Sequence, residues 1–319
     1  MRWQVVGFQR PNDNQASIKR VVGLPGETIW FEHGNIFLKT ERGETQLLKK
    51  NWQQQKATRI LVHDNRFQNQ DSRWSPLEST SPLIATVPAQ FRATEHRWLR
   101  YQPKRCYKHS ANQTWSPRIE DSYGFNQSIN RQLNTVNEVC LEFELDPDSN
   151  LNQTGQSELL IAIVVGQQTH LARFVIDLDS AEVQLFDRSA ALTTTSRCQI
   201  DRDIPTCGIS NIDQQIIVTV GNHQAHLIDL NSQDLDTPVE LLLSLQPANL
   251  VDLKRLRLWR DTYYFSALSR DELLRRQANS TVEGYFLIGD NLPVSRDSRL
   301  WALPTVDAEH ILGVVDIGQ

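Results

Sequence analysis

The sequence predicts a mainly β protein with an antiparallel sandwich at its centre. Three observations carry that expectation. The longest apolar run, Leu159 to Val165, is short and β-branched, as a buried strand requires. Other runs alternate apolar and polar residues, as in Leu256-Arg257-Leu258-Trp259-Arg260. Between 137 and 265 such runs follow one another at short spacings with turn residues between them, the pattern of a sandwich.

Composition sets the outer limits. The chain has 319 residues, enough for one large or two ordinary domains. Hydrophobic residues make up 39% and charged residues 22%, a balance that supports a packed core. A net charge of −5, with no basic stripe, excludes a nucleic-acid partner. No apolar run is long enough to span a bilayer, and Met1 to Val6 lacks the apolar centre of a signal peptide. Cys106, Cys140, Cys198 and Cys207 have no metal-ligand spacing. Cys198 and Cys207 flank a short polar loop, and their sequence leaves open whether they pair. His223 and His226 fall on opposite faces of a strand, so no shared metal is expected, and no cofactor is implied.

Along the chain, Gln4 to Phe8 and Ile18 to Val22 read as strands joined by a polar loop. Pro25-Gly26 fits a type II turn, with proline fixing φ at one position and glycine accepting positive φ at the next. Thr28 to Phe31 and Ile36 to Leu38 form a hairpin across His33-Gly34-Asn35. From Glu41 to Leu133 the sequence is polar and dotted with tryptophans. Gln46 to Gln55 reads as a short helix, Arg59 to Val62 as a strand, and the rest as loops anchored by Trp74, Trp98 and Trp115. Seven strands are expected next: Val139 to Leu145, Leu159 to Val165, His170 to Leu178, Glu182 to Phe186, Gln215 to Val220, Ala225 to Leu230 and Leu253 to Trp259. Ser269-x-x-Glu272 is a capping box, so a helix follows through Gln277. Tyr285 to Ile288 and Ile311 to Val315 close the chain as strands.

Two segments carry chemistry. The first is Ser17-Ile18-Lys19-Arg20-Val21-Val22-Gly23-Leu24-Pro25-Gly26-Glu27, with a lysine inside an apolar strand. The second is Gly289-Asp290-Asn291, followed by Ser295-Arg296-Asp297-Ser298-Arg299. A lysine acts as a general base only when neutral. Its ordinary pKa of about 10.4 must then fall to about 7–8, at a cost of roughly 4 kcal/mol. Burial among apolar groups is the available lever, because it disfavours the ammonium. Read locally, Lys19 is also compatible with an ordinary exposed strand residue.

Together the two segments resemble, position by position and in the same order, two boxes of the type I signal peptidases, which use a Ser–Lys pair. The resemblance is strong over about the first 50 and last 40 residues. It implies that Lys19 is the general base and that the Ser295 hydroxyl orients its amine. Arg20, Asp297 and Arg299 would form a supporting charge network. Gly289, Asp290 and Asn291 would shape the turn that brings Ser295 to Lys19. Ser17 and Ile18 would offer a strand edge to an extended substrate. The implied partners are signal-peptide-bearing preproteins. The implied location is the outer face of the bacterial cytoplasmic membrane, reached through an N-terminal anchor.

The chain departs from the pattern in three ways. Members of the family carry a Ser-Met-x-Pro segment and a membrane helix before the strand that corresponds to Gln4 to Pro11. Neither stands in this sequence, so the chain alone is expected to be inactive. Ala302 follows Trp301 where a glycine is usual. The interval between the boxes is long and resembles a concanavalin-like jelly roll inserted into the core, similar to the large-insertion signal peptidases of planctomycete-type bacteria.

The expected organisation is therefore a signal-peptidase-like β core from both chain ends, interrupted by the sandwich. Its parts are residues 1–50 (lysine box), 51–135 (irregular connector), 136–265 (β-sandwich insertion) and 266–319 (Ser/Asp/Arg box). Two accounts stay open: a longer, anchored peptidase, or an inactive homologue that binds peptides or glycans. A glycan site would use Trp259, Tyr263 or Tyr264 as platforms, whereas the plainer role for these rings is packing.

Overall fold

The computed structural model describes all residues except 10–14, 41, 68–72, 93–96, 105–117, 127–128, 130, 146–156, 178–179, 188, 190, 200–205, 231–236, 246–252, 280–282 and 317–319. Cys106 and Trp115 lie outside the described residues. The chain is mainly β and divides into two compact units, residues 1–58 with 262–319, and residues 59–261.

In the first unit the strands are β1 (Val5–Gln9), β2 (Ala16–Gly23), β3 (Thr28–Glu32), β4 (Asn35–Lys39) and β5 (Thr45–Leu47), with helix α1 (Trp52–Thr58). The second unit holds β6 (Ile60–Asp64), β7 (Trp74–Pro76), β8 (Arg97–Tyr101), β9 (Val139–Leu145), β10 (Ser157–Val165), β11 (Gln168–Ile176) and β12 (Ser180–Phe186). It continues with β13 (Leu192–Gln199), β14 (Thr206–Ile212), β15 (Gln215–Val220), β16 (His223–Asp229), β17 (Glu240–Leu245) and β18 (Leu253–Arg260). The chain then returns to the first unit with helix α2 (Arg270–Ala278), β19 (Phe286–Ile288) and β20 (Ile311–Val314).

The first unit contains two antiparallel sheets, β19-β2-β1-β20 and β3-β4-β5. At the Pro25-Gly26 turn, Glu27 N–H donates to Leu24 O at 3.1 Å and Gly26 has φ 83°, as a type II turn demands. The β3–β4 connection is a two-residue turn with positive φ at both His33 (50°) and Gly34 (87°), which matches the twist of the strands. Trp3, Val22, Ile29, Trp30, Ile36, Leu38, Tyr264 and Phe286 form the core between these elements. Helix α2 starts where the sequence indicates, with the Ser269 side chain accepting from Glu272 N–H.

The expected helix over Gln46 to Gln55 is displaced. Thr45 to Leu47 continue a hairpin with β4 instead. The helix begins later because Asn51 and Gln54 cap each other: Gln54 N–H donates to Asn51 Oδ1 at 3.0 Å, and Asn51 N–H to Gln54 Oε1 at 2.9 Å.

The second unit is the sandwich. Its sheets run β13-β12-β11-β10-β17-β8-β7 and β16-β15-β14-β9-β18-β6. Phe143 on β9 meets Phe174 on β11 edge-on, ring centres 5.0 Å apart, both fully buried between the sheets. The stretch expected to be an irregular connector supplies β6, β7 and β8 to this sandwich. Val87 and Phe91, in the short turns that follow β7, pack on Trp98, Leu160 and Phe186. Five strands of this unit were not expected from the sequence: β7 and β8, read as loops, β13, which is rich in polar residues, and β14 and β17.

Candidate functional site

Strand register builds the site. On one side β2 pairs with β1, Lys19 opposite Val6 and Ser17 opposite Phe8. On the other, β19 pairs only as far as Ile288 opposite Arg20. The chain then leaves the sheet at Gly289, beside Lys19. A tight turn follows, in which Asn291 O accepts from Val294 N–H at 3.2 Å and from Ser295 N–H at 3.0 Å. That turn folds Ser295 back over Gly289. A Cβ placed on Gly289 would lie 2.1 Å from Ser295 Oγ and 3.3 Å from Lys19 Nζ. Both polar atoms therefore approach the same point, and only a hydrogen fits there. Lys19 is half-buried. Ser295 Oγ is buried and makes no hydrogen bond among the described residues.

Asp297 and Arg299 hold this turn in place. Asp297 Oδ2 accepts from Gly289 N–H at 3.0 Å and from Arg299 Nη2 at 2.8 Å. Arg299 Nε donates to Asp297 Oδ1 at 2.8 Å, and its Nη atoms also donate to Phe265 O (2.8 Å) and Leu292 O (3.0 Å). Both side chains are almost fully buried. Ser298 imitates a strand partner for Leu287: Leu287 N–H donates to Ser298 Oγ at 2.8 Å, and Ser298 N–H donates to Leu287 O at 3.0 Å.

Arg20 does not join that network, contrary to expectation. Lys19 and Arg20 alternate across the strand, so the guanidinium turns to the opposite face. There it donates to Asp290 Oδ1 and Oδ2, both at 2.8 Å, and to the carbonyls of Trp3 (2.6 Å) and Ala57 (3.2 Å). Burial works against its charge, but the Asp290 carboxylate prevails and holds the Arg20 guanidinium above the usual arginine value. The expected single network is thus two separate ion pairs, Arg20–Asp290 and Asp297–Arg299. Asp290 remains largely exposed, Asn291 is half-buried, Ser17 is half-buried and Ile18 is 59% exposed. On the β19 side of β2, no ladder covers Ser17 or Ile18 among the described residues.

The arrangement brings a primary amine and a hydroxyl together next to an uncovered strand edge. In the sandwich, buried Glu138, Asp213 and Asp261 each bring a carboxylate oxygen within 4.8 Å of the other two, an oxygen set of the kind a divalent cation accepts. The sequence offered no local signal for this cluster, because strand pairing alone assembles it. Cys198 and Cys207 are free thiols. Two of the aromatic residues considered as glycan platforms, Trp259 and Tyr264, are engaged in packing. Trp259 lies under the Arg59 guanidinium (4.4 Å) and donates to Glu142 Oε2 at 2.9 Å, while Tyr264 is buried in the core of the first unit.

A family model described as signal peptidase, peptidase S26, matches residues 1–90. The matched residues include Lys19, while Ser295 lies outside them. No curated protein matches the chain. Among solved structures, the chain is similar to the CBM2 module of Lactobacillus casei BL23 phage J-1 evolved Dit, with 6% identity, 65% of this chain and 99% of that one covered, and a TM-score of 0.36. It is also similar to the Bacillus licheniformis β-glucanase (10% identity, 62% and 94% covered, TM-score 0.29). A non-specific endo-β-1,3(4)-glucanase from family GH16 gives 9% identity, 75% and 96% covered, and a TM-score of 0.34. At these scores the likenesses assign no function. No helix among the described residues is long and apolar enough to cross a membrane.

Proposed function

We propose that the first unit is a signal-peptidase-like core that binds the signal sequences of exported preproteins as an added strand along Ser17 and Ile18. Lys19 is its general base and Ser295 the hydroxyl that orients it, at the outer face of a bacterial cytoplasmic membrane. The observation that carries this reading is that Ser295 Oγ and Lys19 Nζ both approach Gly289, 2.1 and 3.3 Å from where its Cβ would lie. The family match over residues 1–90 supports it from an independent direction. Asp297, Arg299, Arg20 and Asp290 position the site and do not touch the substrate.

Acyl transfer also needs a hydroxyl nucleophile, and within these 319 residues the sequence assigns none. The expected activity of the chain is peptide capture without turnover. Hydrogen exchange of the full chain with a synthetic signal peptide tests this. Bound peptide should slow exchange at residues 17–19 and produce no cleavage. Unchanged exchange at those residues would refute the reading. Cleavage abolished by Lys19→Ala would refute the absence of turnover and require a nucleophile elsewhere in the chain.

A further inference from the structure

We propose that Trp3 is a positioning residue for the Lys19–Ser295 site and acts on it through Arg20; the proposal rests on the reading of that site given above. Arg20 directly follows Lys19, and Asp290 directly follows Gly289. The Arg20–Asp290 pair, with both contacts at 2.8 Å, therefore ties together the two chain segments that bring amine and hydroxyl to one point. The third corner of this tie is the Trp3 carbonyl, which accepts from Arg20 Nη1 at 2.6 Å.

That carbonyl points at Arg20 because Trp3 has φ 68°, a left-handed conformation that bulky residues seldom adopt. Such a backbone persists only where its surroundings over-determine it, and here they do. Trp3 N–H donates to Val21 O at 2.7 Å, fixing the residue against β2. Its ring is 3% exposed, packs on Tyr264 with centroids 6.1 Å apart, and lies under Lys50 Nζ at 5.0 Å. Among the described residues the indole N–H makes no hydrogen bond, so the contacts that hold the ring are those of its faces. An aromatic face at this position, rather than a polar anchor, is what keeps the carbonyl on Arg20. A small side chain would free the backbone to relax toward negative φ and swing the carbonyl away. Arg20 would then loosen, and with it the approach of Gly289 to Lys19.

The test follows the amine itself. Lysines of the full chain are reductively methylated with carbon-13, the Lys19 resonance is assigned with Lys19→Arg, and its pH titration is compared among variants. Trp3→Ala should move the Lys19 midpoint by about half a pH unit, a threefold change in its protonation equilibrium, toward the ordinary lysine value of about 10.4. Lys50→Met, which keeps the bulk of the stem but removes the cation over the ring, should shift Lys19 in the same direction. Trp3→Phe, which restores an aromatic face, should hold the native midpoint. An unmoved Lys19 midpoint in folded Trp3→Ala or Lys50→Met would overturn the proposal, as would a Trp3→Phe shift as large as that of Trp3→Ala. A wild-type Lys19 that titrates at the ordinary lysine value of about 10.4 would instead overturn the reading of Lys19 as a base, a result distinguishable from the others because it needs no variant.

Discussion

Ser295 sets its hydroxyl where a side chain on Gly289 would begin, 2.1 Å from the ideal Cβ position. The contact explains why residue 289 is glycine without any appeal to unusual backbone angles. Gly289→Ala must displace Ser295, Lys19 or both. Forcing one methyl into a well-packed site costs about 1–3 kcal/mol. Urea unfolding should show a lower midpoint with an unchanged slope, and signal-peptide protection of residues 17–19 should weaken more than the stability loss alone explains.

Asp297 and Arg299 form a nearly dry ion pair, their side chains 0% and 4% exposed. Removing one partner leaves the other charge buried without compensation, a loss of about 3–5 kcal/mol. Arg299→Met should therefore destabilise far more than the exposed substitution Arg275→Met, whose ion pair with Glu272 lies at the surface. Thermal melting of the two variants against wild type provides the comparison. Equal losses would mean that Arg299 contributes no more than a surface charge.

A buried histidine, His63, and a half-buried one, His170, predict an acid-side loss of stability. Burial, reinforced by the Arg73 charge, pushes His63 down to about 4, and burial pushes His170 down to about 4. Unfolded, both return to about 6.5, so between about pH 6.5 and 4 the unfolded chain binds more protons than the folded one. Stability is then complete above about pH 6.5 and falls as the pH drops toward 4, by at most about 1.4 kcal/mol per pH unit for each histidine. His63→Phe should flatten that slope by up to half in urea titrations at a series of pH values.

The parts of this protein visible in its sequence were those fixed by local rules. The Pro25-Gly26 turn, the His33-Gly34 hairpin and the Ser269 cap each depend on residues within four positions of one another. The segment holding Lys19 and the segment holding Ser295 were also readable, because each is a continuous motif. Their meeting point was readable only through the family resemblance. The route of the Arg20 side chain was not, because strand alternation sends it away from Asp297 and toward Asp290, a partner far along the chain. The sandwich strand β13 escaped for a related reason. β13 lies at a sheet edge and buries only alternate small residues such as Thr194 and Ser196, which then bond across to His226 and Ala225 on the other sheet. Apolar periodicity cannot register a strand whose inward face is made of hydroxyls.

A last relation of this kind concerns Gln277, whose amide acts as a strand for its neighbour. Its Oε1 accepts from Ile29 N–H at 2.8 Å and its Nε2 donates to Ile29 O at 2.6 Å. Ile29 lies on β3, the edge of its sheet, so the side chain from helix α2 satisfies backbone groups that no strand reaches. Gln277→Met keeps the length but leaves both groups unpaired, which costs about 1–3 kcal/mol for a buried polar group. Gln277→Glu keeps the acceptor and loses the donor, so its deficit should be smaller near neutral pH. Amide exchange at Ile29 reads the effect directly. It should accelerate most in the methionine variant, while exchange on β10 in the other unit stays at its wild-type rate. An Ile29 amide as slow in Gln277→Met as in the wild type would show that the helix contributes packing to this edge and no hydrogen bond.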